Sequence, residues 1–194
     1  MEESKITSGY RVIIIGGSAG SLHVLMQILP ELPLNKSLAI VIVVHRKSSD
    51  EETLEELIQL KSKTEVRPVE DKISLLPGYI YVAPSNYHLL FEKNNLLALD
   101  TSEKINYSRP SIDVSFESAA EVYKDKLTGI LLSGSNTDGT KGLIAIKSNG
   151  GTIVVQDPNS AEMPFMPNYA IQNTTPDFIL DIPQMIDFIL KLDN

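Results

Sequence analysis

Uninterrupted apolar runs divide this chain into buried strands. Three runs, at 12–15, 38–44 and 128–132, consist largely of Val, Ile and Leu and show no alternation with polar residues. A strand with two apolar faces is typical of a parallel sheet that helices cover on both sides. A fourth run at 152–155 and a short one at 178–180 extend the pattern.

Helical spacing of apolar residues predicts the segments between these strands. Helices are predicted over 19–29, about 50–60, 110–124, 139–147 and at the carboxyl end of the chain. The first helix should bury Leu22, Leu25, Met26 and Leu29, and Ser49 or Asp50 should cap the second. Strand-like segments at 78–82, 87–91 and 96–99 predict a small antiparallel hairpin near the active site. A short strand is predicted at 66–69, and no element is predicted for the Met/Pro-rich stretch that ends at Pro167.

This order of strands, loops and helices predicts the fold class. It is an α/β protein, a three-layer α/β/α sandwich with a mainly parallel sheet and right-handed crossovers. We expect a single domain over 1–194, preceded by an N-terminal extension at 1–10.

Composition narrows the possible functions. The net charge of −8 argues against nucleic-acid binding, which needs a basic surface. The absence of cysteine excludes disulfides and thiolate metal sites. No apolar run reaches the length of a membrane span, and the polar start does not resemble a signal peptide. We therefore expect a cytoplasmic protein without membrane insertion.

The turn after the first strand carries the first candidate functional residue. Gly16, Ser18 and Gly20 form a Gly-x-Ser-x-Gly pattern that leads into a helix. Such a turn suits a serine nucleophile, because small neighbours let a carbonyl substrate approach the hydroxyl. A nucleotide loop has similar letters, with Arg46 available for a 2′-phosphate, but Ser18 and Ser21 stand where its glycines belong. On this turn alone, nucleophile, nucleotide loop and structural turn all remain open.

Three candidate catalytic residues each follow a buried strand. Ser18, His45 and Asp138 lie just past the carboxyl ends of the runs at 12–15, 38–44 and 128–132. Parallel strands share that edge, and ligands bind there. A Ser-His-Asp set is therefore predicted, with Ser18 Oγ within about 3.5 Å of one ring nitrogen of His45 and Asp138 on the other. Its chain order disfavours the α/β-hydrolase fold, whose order is Ser, Asp, His.

Each of these residues also has a plain structural interpretation. A histidine at a strand end is often a surface or capping residue, and an Asp-Gly pair is often a turn or a helix cap. His23 and His88 are weaker candidates for a base, because one lies on the first helix and the other in the antiparallel segment.

Longer motifs carry a family resemblance over almost the whole chain. In order, they are GGSAGSL, VVHRKSS, LPGYIYVAPSNYHLL, RPSIDVSFESAA, LSGSNTDGTKGLIAIKSNGGTIVVQDP and EMPFMPNYAI. Together they resemble the catalytic domain of the chemotaxis protein-glutamate methylesterase family, the CheB type.

The resemblance implies a mechanism and site residues. It implies a cytoplasmic serine hydrolase of signal transduction that uses no cofactor and no metal, with Ser18 as nucleophile, His45 as base and Asp138 as orienting acid. The oxyanion donors would be the backbone N–H groups of Ala19 and Ser135, and Arg109 would lie near the substrate. The implied substrate and partner is the methylated cytoplasmic domain of a chemoreceptor, with glutamine deamidation as a side activity.

The chain departs from the family pattern at three places. Ser21 replaces a usual glycine, and Arg-Lys instead of Met-Pro follows His45. Only about ten residues precede the first strand, so we expect a stand-alone catalytic domain without a receiver domain. A small-molecule esterase, a nucleotide-binding module and a catalytically silent interaction domain remain as alternatives.

Overall fold

The computed structural model describes residues 9–46 and 51–194. Its strands are β1 to β10 in chain order: Arg11–Gly17, Leu38–Val44, Val66–Pro68, Ile73–Ser74, Ile80–Val82, His88–Glu92, Leu96–Asp100, Leu127–Leu131, Thr152–Gln156 and Phe178–Leu180. Its helices are α1 to α6: Ser21–Ile28, Glu51–Lys61, Ile112–Tyr123, Thr140–Ser148, Phe165–Asn173 and Ile182–Leu192.

Seven strands form one parallel sheet in the order β10-β9-β8-β1-β2-β5-β3. The chain starts at the central strand β1, builds one half of the sheet towards β3 and then returns to build the other half from β8. The order therefore reverses between β1 and β8. In open parallel sheets, ligands bind beside the carboxyl ends of the strands at such a reversal.

Two apolar cores lie on opposite faces of this sheet. One contains side chains of α3, α4 and α5, including Phe116, Leu143 and Met166. The other contains side chains of α1, α2 and α6. Strands β1 and β2 contribute to both cores because alternate residues point to opposite faces. The predicted three-layer sandwich with a mainly parallel sheet is confirmed.

The antiparallel part differs from the prediction in its members. Strands β4, β7 and β6 form a three-stranded antiparallel sheet that packs against the α3 side. The predicted segment at 78–82 is instead β5 of the main sheet, where Ile80 pairs with both Ile40 and Val66. Complete burial of β5 explains this placement, because a strand with two buried faces suits the middle of a parallel sheet.

Two helix predictions are corrected. Helix α1 begins at Ser21 and buries Val24, Leu25 and Ile28, whereas Leu22 is exposed. Helix α5 was missed, although its proline lies in the first turn, where a missing N–H is tolerated. The proposed cap of α2 at Ser49 or Asp50 lies outside the described residues. None of the helices in the described ranges is long and apolar enough for a membrane crossing.

Candidate active site

The turn that carries Ser18 is shaped by its glycines. Ser18 follows directly on β1 and is half-buried. A Cβ atom at Gly17 would lie 2.5 Å from Ser21 Cβ. Gly20 has a φ of 81°, and a Cβ there would lie 2.6 Å from Ser133 Oγ. The chain can make this tight approach and left-handed step into α1 only because these residues have no side chain.

Ser133 joins the Ser18 turn to the loop that follows β8. The N–H of Ser18 donates to the Ser133 carbonyl at 2.9 Å, and Ser133 Oγ donates to the Ala19 carbonyl at 2.8 Å. The same hydroxyl accepts from the N–H of Met163 at 2.9 Å, and the N–H of Gly134 donates to the Met163 carbonyl at 3.0 Å. Three loops at the carboxyl edge of the sheet are thus bonded together.

His45 is the neighbour of Ser18 across paired strands. Gly17 of β1 is in register with Val44 of β2, and the N–H of His45 donates to the Gly17 carbonyl at 3.1 Å. The imidazole reaches past the end of β1 towards the loop after β8. There His45 Nε2 lies 2.7 Å from Asp138 Oδ2, with 15% of the His45 side chain exposed and 1% of the Asp138 side chain.

The carboxylate of Asp138, in the loop after β8, lies against the N-terminus of α3. Its carboxylate accepts hydrogen bonds from the N–H groups of Ile112 at 2.7 Å and Asp113 at 2.9 Å. Ser111 Oγ donates to it at 3.1 Å, and the N–H of Gly139 donates at 3.0 Å. Unsatisfied N–H groups and the helix dipole favour a negative charge at this end of a helix.

These contacts decide the ionisation of Asp138. Burial by itself raises the pKa of a carboxyl group, but hydrogen bonds from His45 and from the N–H groups of Asp113 and Ile112 outweigh it. The pKa of Asp138 therefore lies below its ordinary value. An ionised Asp138 is the partner that an N–H donor on His45 Nε2 requires.

Asp113 is a second buried carboxyl group beside Asp138. Burial raises its pKa to about 6, a hydrogen bond from the N–H of Gly142 at 2.8 Å opposes the rise, and the charge of Asp138 adds to it. Two carboxylates this close repel each other, so one of them holds its proton more tightly.

Asn136 contacts the other ring nitrogen of His45. Its Nδ2 lies 3.2 Å from His45 Nδ1, and its Oδ1 accepts from the N–H of Asp138 at 3.0 Å. Within residues 9–46 and 51–194, the hydrogen bonds of the imidazole go to Asp138 and Asn136, and none goes to Ser18 Oγ. The structure therefore joins His45 and Asp138 as expected, while the Ser18 to His45 contact stays a prediction.

The two expected oxyanion donors lie on the loops that Ser133 connects. In the described part of the chain, the N–H groups of Ala19 and Ser135 donate to no acceptor. Ala19 follows Ser18 directly, and Ser135 lies two residues beyond Ser133, the residue that binds the Ser18 N–H. Both side chains are exposed at this edge.

Arg109 and His88 hold the segment that leads into α3. Arg109 Nη1 donates to the carbonyls of Thr101 at 3.0 Å and Ser102 at 2.9 Å. His88 is buried, with Nδ1 accepting from the N–H of Ser111 at 3.2 Å and Nε2 lying 2.9 Å from the Glu103 carbonyl. His88 is thus bonded to the N-cap of α3, and Ser111 links it to Asp138.

In the described part of the chain, Arg46 and His23 both contact other side chains. Arg46 pairs with Glu55 through both terminal nitrogens, at 2.9 and 2.6 Å, and donates to the Ala83 carbonyl at 3.0 Å. Its guanidinium is therefore engaged. His23 is an exposed residue of α1 that contacts Gln27. Among the described residues, no three His, Asp or Glu side chains are grouped to hold a metal ion.

Comparison with known proteins identifies the family. The model of the CheB methylesterase family matches residues 13–189. A Leptospira interrogans protein is 42% identical over 95% of this chain and 96% of its own length. Its name is "Putative protein-glutamate methylesterase/protein-glutamine glutaminase". The chain belongs to the CheB methylesterase family.

Other CheB-type proteins agree in sequence and in structure. The Thermotoga maritima protein-glutamate methylesterase/protein-glutamine glutaminase is 32% identical over 94% of this chain, which spans 54% of that protein. The crystal structure of the T. maritima CheB methylesterase catalytic domain superimposes with a TM-score of 0.90 and covers 94% of this chain. These findings confirm the resemblance, and the names of the relatives agree with the expected enzyme class.

Sequence reasoning missed several residues around the CheB-type site. Ser111 and the N-terminus of α3 surround Asp138, and Asn136 contacts His45. The RPSID motif that contains Arg109 also contains Ser111, Ile112 and Asp113, which bond to Asp138. These bonds depend on how α3 packs against the loop after β8. The position of Asn136, two residues before Asp138, was the one available signal, because such a side chain often bonds to the N–H two residues on.

Proposed function

We propose that this protein hydrolyses γ-glutamyl methyl esters on the cytoplasmic domains of chemoreceptors and releases methanol. The 2.7 Å contact between His45 Nε2 and Asp138 Oδ2, at the strand ends where the Ser18 turn lies, is the observation that carries the proposal. Family membership supplies the ester chemistry, since relatives at 42% and 32% identity carry the methylesterase name.

Ser18 is the proposed nucleophile and His45 the base. Ser18 Oγ attacks the ester carbonyl, its proton goes to His45 Nδ1, and the N–H groups of Ala19 and Ser135 stabilise the oxyanion. His45 then protonates the departing methoxide, which leaves as methanol. Water hydrolyses the acyl-enzyme with the same residues in reversed roles, and the serine and a free carboxylate are regenerated.

In this proposal the two ring nitrogens of His45 exchange the partners that they have in the serine protease triad. In the serine protease triad the carboxylate holds Nδ1 and the serine faces Nε2. Here Asp138 is on Nε2, so Nδ1 is assigned to Ser18. The strand order gives a reason: Ser18 and His45 end adjacent strands, whereas Asp138 lies beyond β1 and needs the longer reach of Nε2.

Ionised Asp138 is proposed to fix the tautomer of His45. A carboxylate on Nε2 keeps the ring proton there and leaves a lone pair on Nδ1 for the Ser18 proton. It then stabilises the imidazolium that forms. Deamidation of glutamine would follow the same steps, with ammonia as the leaving group in place of methanol.

Removal of the Ser18 hydroxyl tests the mechanism. Ser18→Ala should fold normally and lose roughly 10⁶-fold in kcat for methanol release from a methylated receptor fragment, if the three residues act as a unit. His45→Ala should be about as severe, and the double variant little worse. Ser74→Ala, at an exposed residue of β4, is the control for a removed serine hydroxyl. Activity of Ser18→Ala near that of the wild type would eliminate the mechanism.

A small-molecule esterase is the second candidate. An open groove of about 360 Å³ is lined by Met163, Pro164, Phe165, Asn168, Tyr169 and Gln172. Met163 is bonded through its backbone to Ser133 and Gly134, so the groove adjoins the proposed site. Turnover of small apolar esters without methanol release from several receptor fragments would favour this function over the first.

A further inference from the structure

Asn136 occupies the position on His45 that the nucleophile needs. Asn136 Oδ1 accepts from the N–H of Asp138, so the other end of its amide, Nδ2, is the end that faces the imidazole. Nδ2 carries only hydrogen-bond donors, and its partner at 3.2 Å must therefore be the lone pair of His45 Nδ1. Asp138 already occupies Nε2.

We propose that Asn136 acts as a latch on the base: in the free protein it holds His45 Nδ1, and it must release that nitrogen before Ser18 Oγ can donate to it. The proposal rests on the assignment of Ser18 and His45 made above. It gives a reason why Ser18 Oγ makes no hydrogen bond to the imidazole among the described residues. Asn136 is a positioning residue here, because it acts on the base and not on the ester.

The effect should be modest and in one direction. A typical net hydrogen bond shifts an equilibrium by about 2- to 12-fold. If Asn136 competes with Ser18 for the lone pair of His45 Nδ1, the arrangement in which Ser18 Oγ donates to Nδ1 is populated about 2- to 12-fold less. Loss of the latch should therefore accelerate the reaction of Ser18 by about 2- to 12-fold.

Two variants separate the latch from the loop structure. Asn136→Ser keeps an oxygen that can accept from the N–H of Asp138, as serine does in similar turns, but is too short to reach His45. Asn136→Asp keeps the same acceptor and places an oxygen instead of an N–H donor opposite Nδ1. Thr137→Ala, at the exposed next residue, is the control for side-chain loss in this loop.

The rate of Ser18 labelling by a fluorophosphonate measures the competition directly. In that reaction Ser18 Oγ bonds to phosphorus, fluoride leaves, and the serine proton goes to His45 Nδ1. Asn136→Ser should be labelled about 2- to 12-fold faster than wild type, and Thr137→Ala at the wild-type rate. Asn136→Asp should be labelled more slowly than wild type, because a carboxylate opposite Nδ1 favours a proton on that nitrogen, which then cannot accept the Ser18 proton. The kcat/KM for a small ester should change in the same order.

Nitrogen NMR of the imidazole gives a readout that a merely structural role would not move. In Asn136→Ser the ¹⁵N resonance of His45 Nδ1 should shift while that of Nε2 stays in place. Labelling of folded Asn136→Ser at or below the wild-type rate would overturn the latch, as would an unmoved Nδ1 resonance.

The same experiment separates this proposal from the proposed substrate. Faster labelling of Asn136→Ser without methanol release from any receptor fragment keeps the latch and overturns only the substrate. No labelling of Ser18 in either protein removes the nucleophile and the latch with it.

Discussion

Replacement of Asp113 by asparagine should stabilise the protein, and the gain should depend on pH. Asp113 is 5% exposed, and its carboxyl group accepts from the N–H of Gly142 at 2.8 Å and lies beside the Asp138 carboxylate. Asparagine has the same shape and keeps an oxygen for that N–H. It never ionises, so it removes the unfavourable charge and keeps the contact.

The magnitude follows from the pKa of Asp113. Its folded-state pKa of about 6 lies above the ordinary aspartate value of 3.8, so the folded protein binds this proton more tightly than the unfolded chain does. Stability from that proton is complete below the unfolded-state pKa and is lost as the pH rises through the folded-state pKa. The free energy of unfolding of Asp113→Asn should exceed that of wild type by about 3 kcal/mol at pH 8 and by only about 1 kcal/mol at pH 4.5.

Urea unfolding at a series of pH values between 4.5 and 8 measures this difference. Subtraction of wild type from variant cancels the titrating groups that do not interact with Asp113, which leaves the Asp113 and Asp138 pair. Asp187→Asn, at an exposed residue of α6, is the control for loss of one carboxylate. A difference that stays constant with pH, or that grows as the pH falls, would refute the reasoning.

Three more substitutions test the structure around the site. Gly20→Ala should destabilise the protein by more than about 1 kcal/mol in urea unfolding and should slow Ser18 labelling. A side chain at a φ of 81° is strained, and its Cβ would lie 2.6 Å from Ser133 Oγ. Wild-type stability would contradict this. Ser111→Ala should lower the free energy of unfolding by about 1 kcal/mol, because Ser111 caps α3 and donates to Asp138. Ser111→Thr keeps a hydroxyl and should recover most of this loss. Tyr107→Gly should raise the melting temperature, because Tyr107 is 97% exposed and has a φ of 65°, which glycine adopts without strain in a tight turn. A lower melting temperature would show that the ring makes a stabilising contact.

The central strands and the candidate residues after them could be predicted because local sequence determines them. The apolar runs of β1, β2 and β8 are fully buried on both sides, as unbroken Val, Ile and Leu runs indicate. Since parallel strands end at one edge, Ser18, His45 and Asp138 were expected there. His45 and Asp138 do meet at 2.7 Å.

The parts that were missed depend on tertiary contacts. Leu22 follows the apolar pattern of α1, but the helix begins at Ser21, and its buried side is centred on Val24, Leu25 and Ile28. Helix α5 was hidden by two prolines that flank Phe165 and Met166. Nothing local to Asp138 or Ser111 indicates that the N-terminus of α3 surrounds the carboxylate, because the two residues meet only when the layers pack.

The bonds around Ser133 make the turn that carries Ser18 part of the rigid body of the protein. One opening of this turn would break the hydrogen bonds of the Ser18 and Gly134 N–H groups, and also that of the Ser133 N–H, which donates to Gln156 Oε1 at 2.8 Å. Backbone amides freed by a common opening exchange with solvent deuterium with a common free energy. These three amides should therefore exchange together and as slowly as those of the central strands. Ser18 is then presented by a surface that forms with the fold itself and does not wait for its ligand.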